Sequence, residues 1–572
     1  MTRASWSMIP LAALLVLAVP VAAAQTPRPL DIGGLPRDTV VRRCTTDSLV
    51  TAALAAFNSP AAVHFFGGGS SPAGIPIGGD VAVYRGNFAV NGTIQGSVTA
   101  LDANVRVFRT GVITGTITVL GGTLTIDPGA RVAGKQVHCD EPLALTKLSD
   151  GRVAVSPPGP SLGSVASALS WQIGDNRFTP LVALGGYNRV EELSLHLGAR
   201  LSRTLGPSDS VHGEAYAIAR TARDPSGGRP TIGWYASALF AHRGAIPFTI
   251  AVGGGSRLQA TRDQPFSATE SGVSAFLLRR DYSDWYEDRG VSVTASAGLT
   301  NEFTVSGAFA LSHQTTVLAV DAFSLLRSTE SWRPNPLIDD GTYRIMTAQL
   351  TWDARNEHRH PTFSWYARAQ LQHTSSSDLT PVALPTTIRD ALPTTGYGST
   401  AADFDVRAYL RLDPEQRIEG RIAAGGYLGG DPLTIQSRRA VGGGDPLLGY
   451  DFRAINCDRQ RKVFAATPAL CDRSIAIQAA YHRALPIDLS TQIGGRSVGL
   501  HHPELVILAD IGSAWLAGDT PGRVPSNRIQ ALREWRSDVG VGLTNGPFGL
   551  YLSKALADAF PIQLTFLFNP RF

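Results

Sequence analysis

The sequence is poor in lysine and cysteine, and it lacks any long run of apolar residues. Its 572 residues include 51 basic residues, of which only four are lysine, and these charges form no cluster. A helix that crosses a membrane needs about 20 consecutive, mainly apolar residues, and no segment of the chain meets that requirement. These absences argue against a helical membrane protein and against nucleic acid as a partner.

The motifs of common enzymes are missing as well. The chain has no Gly-x-Ser-x-Gly motif for a nucleophilic serine. The glycines at 67–69 are not followed by the Lys-Ser/Thr pair of a phosphate-binding loop. We therefore predict that the protein is not an enzyme and that it binds no cofactor and no metal.

The first residues have the pattern of an export signal. Arg3 supplies a positive charge, residues 11–19 are apolar, and Ala22-Ala23-Ala24 forms a signal-peptidase site. We predict a signal peptide over residues 1–24. In an exported chain without a membrane-spanning helix, many alternating strands indicate the bacterial outer membrane. A soluble secreted protein is the alternative.

The four cysteines fall into two pairs at opposite ends of the mature chain. Because the compartment beyond the inner membrane is oxidising, we predict two disulfides, Cys44–Cys139 and Cys457–Cys471. No two of these cysteines have the Cys-x-x-Cys spacing that is typical of a metal site.

Residues 80–139 repeat with a period of 19 residues. Apolar residues and glycines that keep a fixed phase predict a small β-solenoid, in which successive turns stack with glycines at the corners. A glycine-rich fragment of a β-sandwich is the alternative. The segments NGTIQGSVTA and GGTLTIDPGARVAG resemble bactofilin-type solenoids. The three sets in phase are Phe88, Val107 and Ile126; Ile94, Ile113 and Val132; and Gly96, Gly115 and Gly134.

The segments on either side of the repeats are less regular. Residues 25–79 are rich in proline and glycine, with one short helix predicted at residues 47–57. Residues 140–186 contain Pro157-Pro158-Gly159-Pro160 and are predicted to be a linker.

From residue 187 to the end of the chain, apolar and polar residues alternate. In the last stretch Leu564, Phe566, Phe568 and Phe572 share one face, and most polar residues lie on the other. A period of two places successive side chains on opposite faces of a strand. A terminal phenylalanine after such a stretch resembles the insertion signal of bacterial outer-membrane barrels. Phe566, Phe568 and Phe572 are therefore the predicted signal residues.

The polar face of these strands carries charges of both signs, which are costly in a packed core but not in a wet lumen. The predicted fold class is all-β, with a C-terminal transmembrane antiparallel β-barrel of about 16 strands at residues 187–572, preceded by a small periplasmic β-solenoid. Fourteen strands would also fit. The predicted wall residues brace and hydrate the lumen or select a substrate. They are Asp353, Arg355, Arg368, Arg407, Glu419 and Arg421.

Four segments, in this order, resemble the BamA/TamA-type outer-membrane assembly barrels of the bacterial surface antigen superfamily. They are LTWDARN (350–356), RRAVGGGDPLLGYDFR (438–453), LADIGSAW (508–515) and SDVGVGLTNGPFGLYLSKAL (537–556). The resemblance implies that the second segment folds into the lumen, where an arginine before Gly-Tyr meets a wall carboxylate. Leu448 occupies that position here, and we predict that Arg453 substitutes for the arginine. The predicted loop residues are Gly442, Gly443, Gly444, Leu448, Gly449, Tyr450 and Arg453.

The same resemblance implies a role in outer-membrane protein assembly or translocation, with the N-terminal domain in the periplasm. The implied partners are outer-membrane lipids, unfolded or secreted client proteins, and the barrel assembly machinery that inserts the chain. Family members usually carry POTRA modules where this chain has its repeats. The alternative is a membrane-anchored structural or surface module, or a pore, whose solenoid self-associates or binds a partner.

Overall fold

The structure of the protein, a computed structural model, describes residues 47–568 with short gaps. The predicted signal peptide, Cys44 and Phe572 therefore lie outside the described residues. The gaps are residues 60, 67–68, 72–73, 75, 140–144, 148–152, 156–163, 167–170, 174–175, 207, 223–230, 243, 245, 301, 328, 356–361, 414, 458–467, 486, 494–495, 502, 546–547 and 558.

The N-terminal part is a β-solenoid of about four turns with one helix, α1 (Asp47–Phe57), packed against it. Its first turn begins at Val63, inside the segment 25–79 for which the sequence predicted only a helix. The strands are β1 (Val63–Phe66), β2 (Gly69–Ser71), β3 (Ile77–Gly78), β4 (Val81–Val90), β5 (Thr93–Gln95), β6 (Val98–Val107), β7 (Val112–Ile113), β8 (Ile117–Leu120), β9 (Leu124–Ile126), β10 (Arg131–Val132) and β11 (Gln136–Cys139).

Parallel strands of successive turns stack into two main sheets. One sheet has the order β1-β4-β6-β8-β11, with β2 beside β4 and β9 beside β6, and the other has the order β10-β7-β5-β3. Side chains that point between the sheets, such as Phe88, Ile94 and Ile113, are almost completely buried. Apolar residues in phase therefore form one continuous core through the stack.

The register of the turns departs from a strict 19-residue step. Ile94 pairs with Ile113, as predicted, but Phe88 lies beside Val105 rather than Val107. The corner after β6 has four residues (108–111), whereas the corner after β4 has two (91–92). Because of this difference, the step from β4 to β6 is 17 residues (105 − 88). The prediction that Phe88 stacks in one column with Val107 and Ile126 is therefore wrong for Phe88.

The glycines in phase serve the close approach of the turns. A Cβ at Gly115 would lie 2.7 Å from the carbonyl carbon of Gly96, and a Cβ at Gly134 would lie 2.5 Å from that of Gly115. The amide of Gly115 donates to the Gly96 carbonyl at 2.9 Å. None of the three glycines has a left-handed φ. The close stacking of the turns, rather than an unusual backbone conformation, is therefore what requires glycine at these corners.

Gly115→Ala is expected to destabilise the solenoid by about 1–3 kcal/mol, the usual cost of overpacking a well-packed site. Gly78→Ala is the matched control, because a Cβ at Gly78 would meet no atom within 4 Å. Thermal unfolding and limited proteolysis of the full-length protein measure the difference. Equal stability of the two variants would contradict the close stacking.

The rest of the described chain is mainly one antiparallel sheet, whose sixteen barrel strands follow chain order from β16 to β33. The hairpins β12–β13 and β28–β29 lie outside that sheet. In chain order the strands are β12 (Leu145–Lys147), β13 (Val153–Val155), β14 (Ser164–Ala166), β15 (Trp171–Ile173), β16 (Asn176–Leu184), β17 (Ser194–Thr204), β18 (Asp209–Arg220), β19 (Ile232–His242), β20 (Phe248–Ala260), β21 (Trp285–Gly298), β22 (Phe303–Thr316), β23 (Gly341–Asp353), β24 (Phe363–Ser376), β25 (Tyr397–Asp413), β26 (Gln416–Gly430), β27 (Arg473–Ala484), β28 (Asp488–Ile493), β29 (Arg496–His501), β30 (Glu504–Trp515), β31 (Arg536–Asn545), β32 (Phe548–Ala555) and β33 (Gln563–Leu567).

The barrel strands have an apolar outward face and a largely polar inward face. In β25, Phe404 and Val406 are 52% and 43% exposed, whereas the intervening Asp405 and Arg407 are 3% and 8% exposed. Large exposed hydrophobic side chains on the outside are typical of a barrel in lipid, with charged residues in the lumen. The predicted fold class, all-β with a C-terminal transmembrane antiparallel barrel of about sixteen strands after a small β-solenoid, is confirmed.

The barrel begins earlier than the predicted start at residue 187. Its first strand, β16, lies within the segment 140–186 that was predicted to be a linker. β16 pairs with β17 along its whole length. The linker prediction is therefore corrected, since its last residues belong to the barrel wall.

No pairing joins the first and last barrel strands in the described part of the chain. β33 pairs with β32, while the outer edge of β16 pairs with β14 at residues 181–183 and with β15 at residues 176–178. Open strand edges pair readily with other strands. The segment that precedes the barrel thus covers the edge of β16, beside what we call the seam between the first and last barrel strands.

Two long connections place further structure against the inward face of the wall. The β20–β21 connection contains helix α2 (Ala268–Leu278), and the β26–β27 connection contains a short 3-10 helix (Ile435–Ser437). Another 3-10 helix, Leu532–Glu534, lies in the β30–β31 connection. Of the helices in the described residues, none is long and apolar enough to cross a membrane.

Candidate functional site in the barrel lumen

The candidate site is built around residues 438–472 of the β26–β27 connection, which we call the lumenal loop. Its chain reverses at three glycines. Gly442 and Gly443 have φ values of 108° and 85°, in the left-handed region that favours glycine. A Cβ at Gly443 would also lie 2.2 Å from the Cα of Phe452, and one at Gly444 would lie 2.5 Å from the Pro265 carbonyl oxygen. The glycines therefore bring two parts of the loop, and a neighbouring connection, into close contact.

Hydrogen bonds and a disulfide join the two arms of the lumenal loop. Val441 and Ile455 exchange backbone hydrogen bonds of 3.0 and 2.9 Å, and Arg439 and Cys471 exchange two of 2.9 Å. Cys457 and Cys471 form a disulfide with their Cα atoms 5.0 Å apart and a sequence separation of 14. By closing a segment of this length, the bridge stabilises the loop by about 3 kcal/mol.

Leu448 anchors the tip of the lumenal loop in an apolar cluster. It is 1% exposed and packs with the inward-facing side chains of Val506, Leu508, Tyr551 and Leu567. Burial of a leucine side chain contributes about 1.5–3 kcal/mol. At the position where the family resemblance implies an arginine, the loop thus meets the wall through an apolar contact.

The next two residues are held by hydrogen bonds to β31. The amide of Gly449 donates to the carboxylate of Asp538 at 2.5 Å. A Cβ at Gly449 would lie 2.7 Å from the backbone nitrogen of Ala555, so the approach is close. Tyr450 is buried, and its hydroxyl donates to the carbonyl oxygen of Ser537 at 3.2 Å. These two residues therefore add hydrogen bonds to β31 to the apolar contacts that Leu448 makes with other wall strands.

Arg453 binds two carboxylates, but neither belongs to a wall strand. Its Nε lies 2.6 Å from Asp263, and its Nη1 lies 2.6 Å from Asp284. Both aspartates are in the β20–β21 connection. The expectation of a wall carboxylate is wrong in this respect, because Arg453 joins the lumenal loop to another connection.

Asp284 is the centre of a buried charge cluster that joins four connections. Besides Arg453, its carboxylate contacts Arg189 at 3.0 Å and Arg333 at 2.5 Å. Burial raises the pKa of Asp284, but the three arginines outweigh this effect and hold the pKa well below its usual value. Burial, together with the nearby Arg189, lowers the pKa of Arg333 to about 10. Removal of one partner from such a buried cluster costs about 3–5 kcal/mol.

Several of the predicted wall residues pair along the strands. Arg355 donates to Asp353 from Nε and Nη2 at 2.9 and 2.8 Å. Arg407 and Arg421 bind the same carboxylate, that of Asp405, at 2.8 and 3.0 Å. These contacts neutralise charge within the wall itself, as the bracing role requires.

The other predicted wall residues have different surroundings. Glu419 accepts from Arg417 at 2.6 Å and lies 3.4 Å from His482. Arg421, in addition to its wall contact, lies 3.1 Å from Asp445 of the lumenal loop. Arg368 lines a cavity beside the loop. The structure therefore brings Arg368 and Arg421 to the lumenal loop, and it places Glu419 in a separate ion-pair group.

Sequence reasoning missed α2 and the charged residues around it. A signal for the helix was present in Ser267-x-x-Glu270, the pattern of a capping box. The Ser267 amide donates to Glu270 at 2.7 Å, and the Glu270 amide donates to the Ser267 hydroxyl at 3.3 Å. No comparable local signal marks Asp263 or Asp284, because the partners of these carboxylates are distant in sequence.

The lumenal loop and α2 also hold the last barrel strand. The amide of Phe568 donates to Glu270 at 2.7 Å, and the Gln563 side chain donates to Asp451 of the loop at 3.0 Å. Leu567 is buried in the cluster around Leu448. The inward face of β33 is thus attached to the two long connections.

Two further predictions concern residues beyond the described range. Phe566 points outward and is 45% exposed, with its ring 5.1 Å from that of Phe568, but Phe572 lies outside the described residues. Cys139 is buried in the solenoid, and its predicted partner Cys44 also lies outside them. The Cys44–Cys139 disulfide and the role of Phe572 stay predictions.

At this site, ion pairs and apolar contacts hold the lumenal loop in place. Within the described residues, no group of three or more His, Cys, Asp or Glu side chains is arranged to hold a metal ion. The arrangement holds the lumenal loop through separate contacts at Leu448, Gly449 and Arg453.

No protein-family model and no curated protein matches the chain. Among solved structures, BamA from Haemophilus ducreyi lacking POTRA domains 1–3 is similar, with a TM-score of 0.40 and 12% identity, covering 71% of this chain and 75% of that one. CdiB from Escherichia coli has a TM-score of 0.29 and 9% identity, covering 69% of this chain and 62% of that one. For CdiB from Acinetobacter baumannii the values are 0.30, 11%, 69% and 59%. The chain thus spans less than two thirds of either CdiB chain.

Proposed function

We propose that the protein is an outer-membrane barrel that assembles or translocates other proteins, with the lumenal loop as a movable plug. The observation that carries this proposal is the way the loop is anchored. Leu448, Gly449 and Arg453 each make a separate contact with surrounding elements. These contacts can break one at a time. A wall strand, in contrast, can leave the barrel only if all its backbone hydrogen bonds to the neighbouring strands break.

The attachment of β33 supports a link between the plug and the seam. Gln563 and Leu567 of β33 are held by the lumenal loop, and within the described residues β33 shares five residue pairs with β32. Movement of the loop would therefore free a short strand at the edge of the sheet. An extended client segment can add to such an edge through backbone hydrogen bonds.

The topology that fits this role places the solenoid in the periplasm. An even number of strands puts both ends of a barrel on the same side of the membrane. The solenoid then occupies the place of POTRA modules and meets client proteins before the barrel does. The proposed partners are outer-membrane lipids, unfolded or secreted clients, and the assembly machinery that recognises Phe566, Phe568 and Phe572.

The proposal is tested by comparing the outer-membrane and secreted proteins of a strain without this chain with those of the same strain after complementation. We expect one barrel protein or a small set of secreted proteins to fall several-fold. A photo-crosslinking residue at the exposed Thr125 of the solenoid should capture the same client.

Two results would count against the proposal. Unchanged protein levels together with open-channel conductance of the purified barrel would indicate a pore. Crosslinks from Thr125 to other copies of this chain alone would indicate a structural module that self-associates.

A further inference from the structure

A cavity of about 220 Å³ lies between the lumenal loop, the β20–β21 connection and the wall strands β24–β27. Its lining is rich in charge, with five arginines against four aspartates. A water molecule occupies about 30 Å³ in the liquid, so the cavity has the volume of roughly seven waters. The charged lining residues are Arg262, Arg368, Arg421, Arg439, Arg453, Asp263, Asp403, Asp405 and Asp445.

Each of the four aspartates is already engaged by arginine. Asp403 contacts both Arg262 and Arg439, one through each carboxylate oxygen. Asp405 is bound by Arg407 and Arg421, and Asp445 by Arg421. Asp263 is bound by Arg453. No lining carboxylate is therefore left over for the remaining arginine, Arg368.

Arg368 carries a positive charge that no aspartate of the cavity lining neutralises. Among the described residues, it has neither an ion pair nor a hydrogen-bond partner, and its Nε is buried. The Nε of Arg439 is likewise buried without a hydrogen-bond partner in that part of the chain. Burial lowers the pKa of Arg262, against the attraction of Asp403, and the nearby Arg439 and Arg368 lower it further. The cavity therefore holds an arginine whose charge no aspartate of the lining neutralises.

We infer that this cavity binds a small phosphate-type oxyanion, held by Arg368 on the wall and Arg439 on the lumenal loop. A guanidinium group offers planar, paired N–H donors that match the oxygens of phosphate. Arg368 is only partly buried, so its unpaired donors can reach an anion in the cavity, and the bound anion would neutralise its charge. The volume admits a phosphate group with some water.

Binding at this position has a consequence for the lumenal loop. Arg368 belongs to β24, and Arg439 belongs to the arm of the loop that Cys471 pairs with. An anion between them joins the loop to the wall, so the occupied site holds the plug in place. The inference concerns binding alone and does not depend on which clients the barrel handles.

The test is calorimetric titration of inorganic phosphate into the full-length protein in zwitterionic detergent, with ionic strength kept constant by chloride. We expect saturable binding in the wild type and an affinity about tenfold or more weaker in Arg368→Gln, because a charged hydrogen-bonding partner is lost. Arg344→Gln, which removes one exposed arginine of β23, is the matched control and should bind like the wild type. Heat-modifiable migration shows that each variant is folded.

One further variant and one reconstitution experiment test the role of the guanidinium group and the source of the phosphate. Arg368→Lys keeps the charge but loses the planar pair of donors, so its affinity should fall between those of the wild type and Arg368→Gln. Reconstitution with or without phosphatidic acid separates a lipid headgroup from free phosphate, since a bound headgroup would abolish the phosphate titration. Absence of phosphate binding in both bilayers and detergent, or equal affinities of Arg368→Gln and Arg344→Gln, would overturn the inference.

Discussion

Replacement of Arg453 by alanine is expected to raise the conductance of the purified barrel and the sensitivity of cells to large antibiotics. The change leaves Asp263 without this arginine and leaves Asp284 with Arg189 and Arg333 only. Removal of one partner of a buried ion pair costs about 3–5 kcal/mol. The ratio of anchored to released lumenal loop should therefore fall by roughly a hundredfold or more.

Planar-bilayer recordings measure the effect, and two variants control for it. Arg344→Ala removes an exposed arginine and should leave the conductance unchanged. Asp263→Asn, combined with Arg453→Ala, removes the stranded carboxylate, so the double variant should conduct less than Arg453→Ala alone. A folded Arg453→Ala protein with wild-type conductance would show that these ion pairs do not hold the loop.

Leu448→Asp is expected to have the second large effect, because it buries a carboxylate in an apolar cluster. Leu448 is 1% exposed, and its neighbours in the cluster include Val506 and Leu508. An unpaired buried charge costs several kcal/mol, which exceeds the contribution of the leucine contact. The tip of the lumenal loop should leave the wall, with a rise in conductance even though Arg453 is intact.

Leu448→Met is the matched control, since a swap that conserves volume usually costs less than about 1.5 kcal/mol. Leu448→Ala should lie between the two, with a cost of about 2–5 kcal/mol for the lost side chain and the cavity. The order of conductance should therefore be Met, Ala, Asp, from lowest to highest. Equal conductance of all three variants would mean that the apolar contact at Leu448 does not position the tip.

The barrel was predictable because apolar and polar residues alternate along much of its wall, as Phe404, Asp405, Val406 and Arg407 illustrate. Its first strand was missed even though Phe178, Val182 and Leu184 are exposed on one face. Pro180 interrupts that strand, and proline normally argues against a strand. In the fold Pro180 falls between the stretches of β16 that pair with β15 and β14.

The lumenal loop could be located from its glycines and Gly449-Tyr450, but its partners could not. Arg453 and Asp263 are 190 residues apart in sequence. A pairing over that distance depends on how two connections fold inside the barrel, and no periodicity or spacing records it. Leu448 is a different case, because its apolar side chain was visible, but only the fold shows the apolar cluster that receives it.

Because β14 and β15 pair with the edge of β16, a force on the chain between solenoid and barrel acts on the barrel through these two pairings. Among the described residues, β14 and β15 contribute three residue pairs each, whereas β16 and β17 share nine. Because β14 and β15 precede the wall strands in the chain, a pull on the solenoid reaches their pairing with β16 before it reaches the wall. Under the proposed function, binding of a client to the solenoid and uncovering of the edge of β16 would then be one event, driven by tension along the chain.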